Sequence, residues 1–167
     1  LNGNSREIEA ALQEHRIDLG LVEGICRLPN LRYTTFLQDE LVAVVHTGSK
    51  LSLPDEITPE DLSRIPLVLR ERGSGTLDVF ERALSEHNMK LSSLNVLLYL
   101  GSTESIKLFL EHTDCIGIVS IRSISRELLS GTFRVIEIKG MPMLREFCFA
   151  QPQGQESGLS QVLMQFA

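Results

Sequence analysis

Two short stretches hold the residues best suited to receive a charged small molecule, Gly73-Ser74-Gly75-Thr76 and Gly101-Ser102-Thr103. Glycine lets a ligand approach the backbone closely, Ser and Thr add hydroxyls, and a helix start adds unpaired N–H groups and a positive dipole end. Both stretches therefore suit an anion. Ser74, Gly75, Thr76, Ser102 and Thr103 are the candidate ligand-binding residues. The dipole contributes only about 0.3–1 kcal/mol, so other groups must converge on the same point. Arg70 and Arg72 flank the first stretch and can add charge-assisted bonds to a carboxylate or sulfate, although surface placement is the default for both. As plain helix caps the same glycines and hydroxyls would need no ligand at all.

Other chemistries lack their residues. A Walker loop needs Lys before its Ser or Thr, whereas Gly75 precedes Thr76. The dinucleotide fingerprint needs a third Gly where this chain has Asp78. His15, His46, His87 and His112 fall at element ends without a partnered nucleophile, so no catalytic set is assigned. Metal-ligand spacing of the C-x-x-C or H-E-x-x-H kind is absent, and neither metal nor cofactor is expected.

Elements must carry these stretches. Leu67-Val68-Leu69 reads as a strand, and Leu77, Phe80, Ala83 and Leu84 recur at helical spacing after the glycine loop. Leu94 to Leu100 reads as a buried strand leading into a helix with Ile106, Leu108, Phe109 and Leu110. Upstream, Asn4-Ser5-Arg6-Glu7 is a capping-box pattern for a helix to about His15, and Ile17 to Val22 is a buried strand. Leu31 to Leu37 and Leu41 to His46 are two strands split by Gln38-Asp39-Glu40. Thr58-Pro59 opens a short helix that stops before Pro66. Cys115 to Ser120, with Gly117 admitting close approach, is a strand, Ser123 to Leu129 a helix, Phe133 to Ile138 and Leu144 to Ala150 strands, and Ser157 to Phe166 a last helix. This alternation predicts an α/β class with a mainly parallel sheet or sheets, in which ligands sit beyond the carboxyl ends of strands. Both candidate stretches occupy that place.

The 167 residues suffice for one domain or two small lobes. A net charge of −6 and no basic run give nucleic acid no electrostatic footprint. Three scattered cysteines, Cys26, Cys115 and Cys148, fit a reducing cytoplasm, and no apolar run reaches the roughly 20 residues of a membrane span. Leu1-Asn2-Gly3 reads as the tail of a strand, so an upstream segment is expected.

In order and spacing, Gly3 to Gly24, Asp39 to Leu51, Ile57 to Thr76, Ser102 to Ser120 and Leu128 to Ile138 together resemble the effector-binding domain of LysR-type transcriptional regulators. The resemblance covers essentially the whole chain. It implies a type 2 periplasmic-binding-protein-like fold, with two Rossmann-like lobes joined by two crossover strands near Leu41 to His46 and Leu144 to Ala150. Lobe I would be residues 1–43 plus 150–167 and lobe II residues 44–149, with the first strand and helix of lobe I absent. A small anionic metabolite would bind in a cleft between lobes, with Ser74 to Thr76 and Ser102-Thr103 facing it. The resemblance further implies a homodimer or tetramer, DNA contact only through an absent N-terminal helix-turn-helix domain, a cytoplasmic setting and no enzymatic step. An extracytoplasmic solute-binding protein of a transport system is the alternative on the same fold, and an enzyme of the prephenate dehydratase type lacks its Thr-Arg-Phe motif here.

Overall fold

A computed structural model describes residues 1–24 and 28–154, together with Val162 and Met164. Its helices are α1 (Ser5–Gln13), α2 (Gly75–Glu86), α3 (Thr103–His112) and α4 (Ser125–Leu129). Its strands are β1 (Gly20–Gly24), β2 (Leu31–His46), β3 (Glu56–Ile57), β4 (Leu67–Arg70), β5 (Val96–Leu100), β6 (Ile116–Ser120), β7 (Phe133–Ile138) and β8 (Met143–Pro152). The chain groups into two compact units: unit 1 is Leu1–Gln38, Gly73–Gly75 and Arg145–Ala167, and unit 2 is Asp39–Arg72 and Thr76–Leu144. Both β2 and β8 contain residues of each unit.

In unit 1, α1 starts where the sequence places it. Asn4 Oδ1 accepts from the Glu7 N–H at 3.1 Å and Glu7 Oε2 accepts from the Asn4 N–H at 2.9 Å, closing a capping box. Helical spacing turns Ile8 and Leu12 onto Val22, Leu31, Cys148 and Ala150. Each such apolar side chain, once buried, contributes about 1.5–3 kcal/mol. The next strand begins at Gly20 rather than Ile17, because the Arg16 N–H still bonds back to the Ala11 carbonyl at 2.9 Å and His15 takes a left-handed turn at φ 54°. β1 then runs antiparallel to β8, from Gly20 opposite Ala150 to Gly24 opposite Glu146.

In unit 2, β4 lies between β5 and β6, all parallel. α3 packs on this sheet through Ile106 and Leu110, in a core with Val44, Val68, Val119 and Phe133. Gly117 makes that packing possible, since a Cβ there would stand 2.9 Å from Ile106 Cγ2 and 3.1 Å from Leu110 Cδ1. The close approach predicted at Gly117 is therefore one of helix to strand.

Several expectations are corrected. Residues 31–46 form one strand, not two, because the polar triplet keeps the period-two pattern: Asp39 is buried between exposed Gln38 and Glu40. The sheet is mixed, since β2 runs antiparallel to both β6 and β7. β5 is not a buried strand. It ends the strand order, and Leu97, Leu98 and Tyr99 are 46%, 42% and 40% exposed. The turn after Thr58 is a 3-10 helix, Pro59–Ser63. The helix expected over 123–129 is a 3-10 turn, Ile121–Ile124, followed by α4. Glu56–Ile57, for which the sequence reading names no element, pairs in parallel with β7. The final helix, like Cys26, falls outside the described residues except for Val162 and Met164, both helical.

Candidate functional site

The three parallel strands of unit 2 end in Arg70, Leu100 and Ser120. Beyond β5, Ser102 caps α3: its Oγ accepts from the Ser105 N–H at 3.1 Å and shares a 2.8 Å hydrogen bond with Ser105 Oγ. Ser102 and Thr103 are half-buried, and no atom approaches the place where a Cβ on Gly101 would stand. Beyond β4, the Arg70 guanidinium grips the Glu71 carboxylate through Nε at 2.9 Å and Nη2 at 3.1 Å, and Nη2 reaches the Gly101 carbonyl at 3.4 Å. Beyond β6, Ser120 Oγ donates to Asp39 Oδ1 at 3.0 Å and accepts from the Arg122 N–H at 3.2 Å, while Arg122 Nε stands 3.8 Å from Asp39. The Asp39 side chain is wholly buried. Thr76, in the first turn of α2, is only 4% exposed and already engaged.

The rest of the glycine loop groups with unit 1. Ser74 is 1% exposed and also engaged. Gly75 is glycine for a structural reason, because a Cβ there would collide with the Glu23 backbone carbonyl. Glu23 is itself held from several sides. Ser5 Oγ donates to its carbonyl at 2.7 Å and accepts its N–H at 3.2 Å, and Arg145 Nη1 meets its carboxylate at 2.6 Å. Arg145, 5% exposed, lies over the Phe147 ring at 4.8 Å. Gly73, at φ 90°, turns its carbonyl toward the Arg6 N–H at 3.4 Å.

Of the five candidates, then, the structure gathers Ser102 and Thr103 on one turn, buries Ser74 and Thr76, and commits Gly75 to a backbone contact. Sequence reasoning missed Asp39, Ser120 and Arg122. The available signal was the Ser-x-Arg that follows the Cys115 to Val119 apolar run. It also set Arg70 on the surface by default, whereas that side chain is 15% exposed and doubly bonded. Among the described residues no group of three or more His, Cys, Asp and Glu could hold a metal. The Cys115 thiol is pushed up to about 11, by burial first and the neighbouring Asp114 charge second, which leaves it a poor nucleophile at neutral pH. A mostly apolar cavity of about 580 Å³ in unit 1, lined by Leu1, Asn2, Ile8, Leu21, Phe36 and Phe149 among others, offers an anion the Asn2 amide but no charged side chain.

Polar turns and guanidinium groups stand at the strand ends of an α/β sheet, the place where such sheets receive small-molecule ligands. Comparison makes this specific. The chain belongs to the LysR substrate binding domain family, whose pattern it matches over residues 1–167. It is 33% identical over 136 residues to the HTH-type transcriptional regulator YeiE of Escherichia coli (strain K12), covering 81% of this chain and 45% of that protein. The chain thus spans about half the length of the curated relatives it matches. The regulatory domain of Synechocystis PCC6803 CcmR, solved in complex with 2-PG, superposes with a TM-score of 0.83 at 24% identity over 98% of this chain and 77% of that one. The effector-binding domain of QuiR, solved with shikimate, gives 0.82 at 19% over 98% and 76%. The fold is the type 2 periplasmic-binding-protein-like one that the resemblance implies.

Proposed function

We propose that this chain is the effector-sensing part of a LysR-type DNA-binding transcriptional regulator, that it binds a small anionic metabolite, and that it performs no chemical step. The observation that carries the reading is the group of polar turns at the carboxyl ends of β4, β5 and β6, in a chain matching the family from end to end. On unit 2 the ligand contacts are Thr76, Ser102 and Thr103; on unit 1 they are Ser74 and Gly75, and where the hydroxyls are buried the backbone N–H groups of the α2 start serve instead. The binding of shikimate by QuiR and of 2-PG by CcmR supports a small acid as the ligand class. The parent protein would work in the cytoplasm as an oligomer, touching DNA through a separate domain and exploiting different effector affinities in two arrangements. No helix among the described residues is long and apolar enough to cross a membrane. Relatives named as HTH-type regulators favour this reading over a transport receptor.

A thermal-shift screen of small acids, each beside its methyl ester, tests it. An acid at 100 times its Kd adds about 2.7 kcal/mol of stability. At about 2–4 °C per kcal/mol for a domain of this size, that raises Tm by roughly 5–11 °C. A broad screen in which acids and esters act alike, or neither acts, would overturn the proposal.

A further inference from the structure

Strand β7 changes partners midway. It runs antiparallel to β2 from Phe133 opposite His46 to Ile136 opposite Ala43, and then joins β3 through Glu137 and Ile138. The Glu137 N–H bonds to the Asp55 carbonyl at 2.8 Å and the Lys139 N–H to the Ile57 carbonyl at 2.9 Å, which draws the end of β7 away from β2. Where the two strands part, a cavity of about 470 Å³ opens, wholly within unit 2 and of a size that suits a small molecule. Ile136, Ile138, Met141 and Met143, each buried, make its apolar wall. Side chains alternate along each strand, so the pairing of Val44 with Val135 sets Glu40, Val42, Val135 and Glu137 on one face. Glu40 and Glu137 supply the only charged side chains of the lining, and both are exposed. Neither carboxylate makes a hydrogen bond or ion pair among the described residues. Nearby cations are committed elsewhere: Arg134, on the opposite face, is held by Asp55 and the Leu53 carbonyl, and Lys139 stands 4.0 Å from Glu56.

We propose that this cavity is a second ligand site, one that takes a small primary amine with an apolar body. The ammonium sits between the Glu40 and Glu137 carboxylates, and the body lies against Met141 and Met143. Charge and shape together decide the class. Two like charges at one mouth repel an acid and draw a cation, while the wall behind them favours hydrocarbon over water. On an unbroken ladder these two positions would be diagonal neighbours, about 7–8 Å apart, and the parting of the strands makes room between them for a guest. An ammonium carries three N–H donors, enough to engage both carboxylates at once. The thioether side chains adapt to bodies of different outline. A bound amine would link the end of β7 to β2 where the ladder between them has stopped. The site goes beyond the effector-sensing reading and stands without it, since it shares no residue with the candidate acid site.

The test follows the methyl resonances of the chain labelled with 13C at its methionine methyls, during titration with benzylamine, benzyl alcohol and benzoate in turn. Benzylamine should move the Met141 and Met143 resonances to saturation and leave that of Met89, which is not part of the cavity lining, in place. Benzyl alcohol has the same body without the charge and should need a severalfold higher concentration, and benzoate should not bind there. Glu40→Gln and Glu137→Gln keep side-chain size at exposed positions. Each should weaken benzylamine binding about two- to fivefold, the range of a partly exposed ion pair, and the double variant more than either. Raising the salt from low to high concentration should weaken wild-type binding and leave the double variant nearly unchanged. Met141 and Met143 resonances unmoved by benzylamine, an equal response to benzyl alcohol, or wild-type affinity in the double variant would each overturn the assignment. None of these results bears on acid binding, so the effector-sensing reading is decided separately by its own screen.

Discussion

Gly117→Ala is the sharpest test of how the Ser102–Thr103 turn is held in place. The added methyl would stand 2.9 Å from Ile106 Cγ2, 3.1 Å from Leu110 Cδ1 and 3.5 Å from Val68 Cγ1, and none of the three side chains exceeds 1% exposure. With no empty space to take up the strain, overpacking costs about 1–3 kcal/mol. Alanine returns some 0.4–1 kcal/mol by restricting the unfolded chain, so the net loss is about 1.3 kcal/mol at the centre of both ranges and at most about 2.6 kcal/mol. That corresponds to a Tm lower by roughly 1–10 °C. Ile106 lies in the first turn of α3, its N–H bonded to the Ser102 carbonyl at 3.2 Å, so relief of the clash moves the turn as well. Ile106→Ala alone should cost about 2–5 kcal/mol, and distinctly less in the Gly117→Ala background because the new methyl fills part of the cavity. Urea unfolding of the four proteins gives the coupling directly. A Gly117→Ala protein as stable as wild type, or strictly additive losses, would refute the packing argument.

Further outcomes follow from single contacts. Ser102→Ala removes the α3 cap and should lower stability by about 0.5–2 kcal/mol in thermal melts; if acid affinity is untouched, Ser102 is a cap and nothing more. Thr76→Val, at a 4% exposed and engaged position, should lower Tm, and calorimetry showing acid affinity unchanged would remove its hydroxyl from the site. The Lys107 ammonium sits 2.6 Å from Glu127 and 3.0 Å from Glu104. Its hydrogen bond holds the Glu127 carboxyl below its ordinary 4.5, outweighing the desolvation that would raise it. A depressed carboxyl stabilises the fold above its unfolded value and loses that contribution as pH falls through the folded one. Glu127→Gln should therefore be less stable than wild type at neutral pH, and the gap should close in urea titrations carried below pH 4.5.

Where one local rule sufficed, the sequence was legible. The capping box of α1 and the Phe133 to Ile138 strand, bracketed by Gly131 and Gly140, depend on neighbours within a few residues. Asp39 defeated the polarity rule because its carboxylate is satisfied by Ser120, 81 positions away, so a charged residue continues a strand that polarity alone would break. β5 defeated the apolar rule in the opposite sense, since an apolar run does not reveal whether a second neighbour covers it. At the candidate site, the helix starts and the cap at Ser102 were readable. The commitment of Gly75 to the Glu23 carbonyl and the Arg70 grip on Gly101 were not, because each needs two distant segments to be in place first.

Coupling of acid binding to DNA binding, as proposed above for a LysR-type regulator carrying this domain, is tested most directly by reciprocity. A promoter fragment selected by the full-length protein from random DNA would be titrated with and without the stabilising acid, and the acid with and without that DNA. Linkage requires one factor in both directions, typically 5- to 150-fold. Equal, non-unit factors are expected. An acid that binds this domain tightly while the DNA affinity stays the same would contradict it.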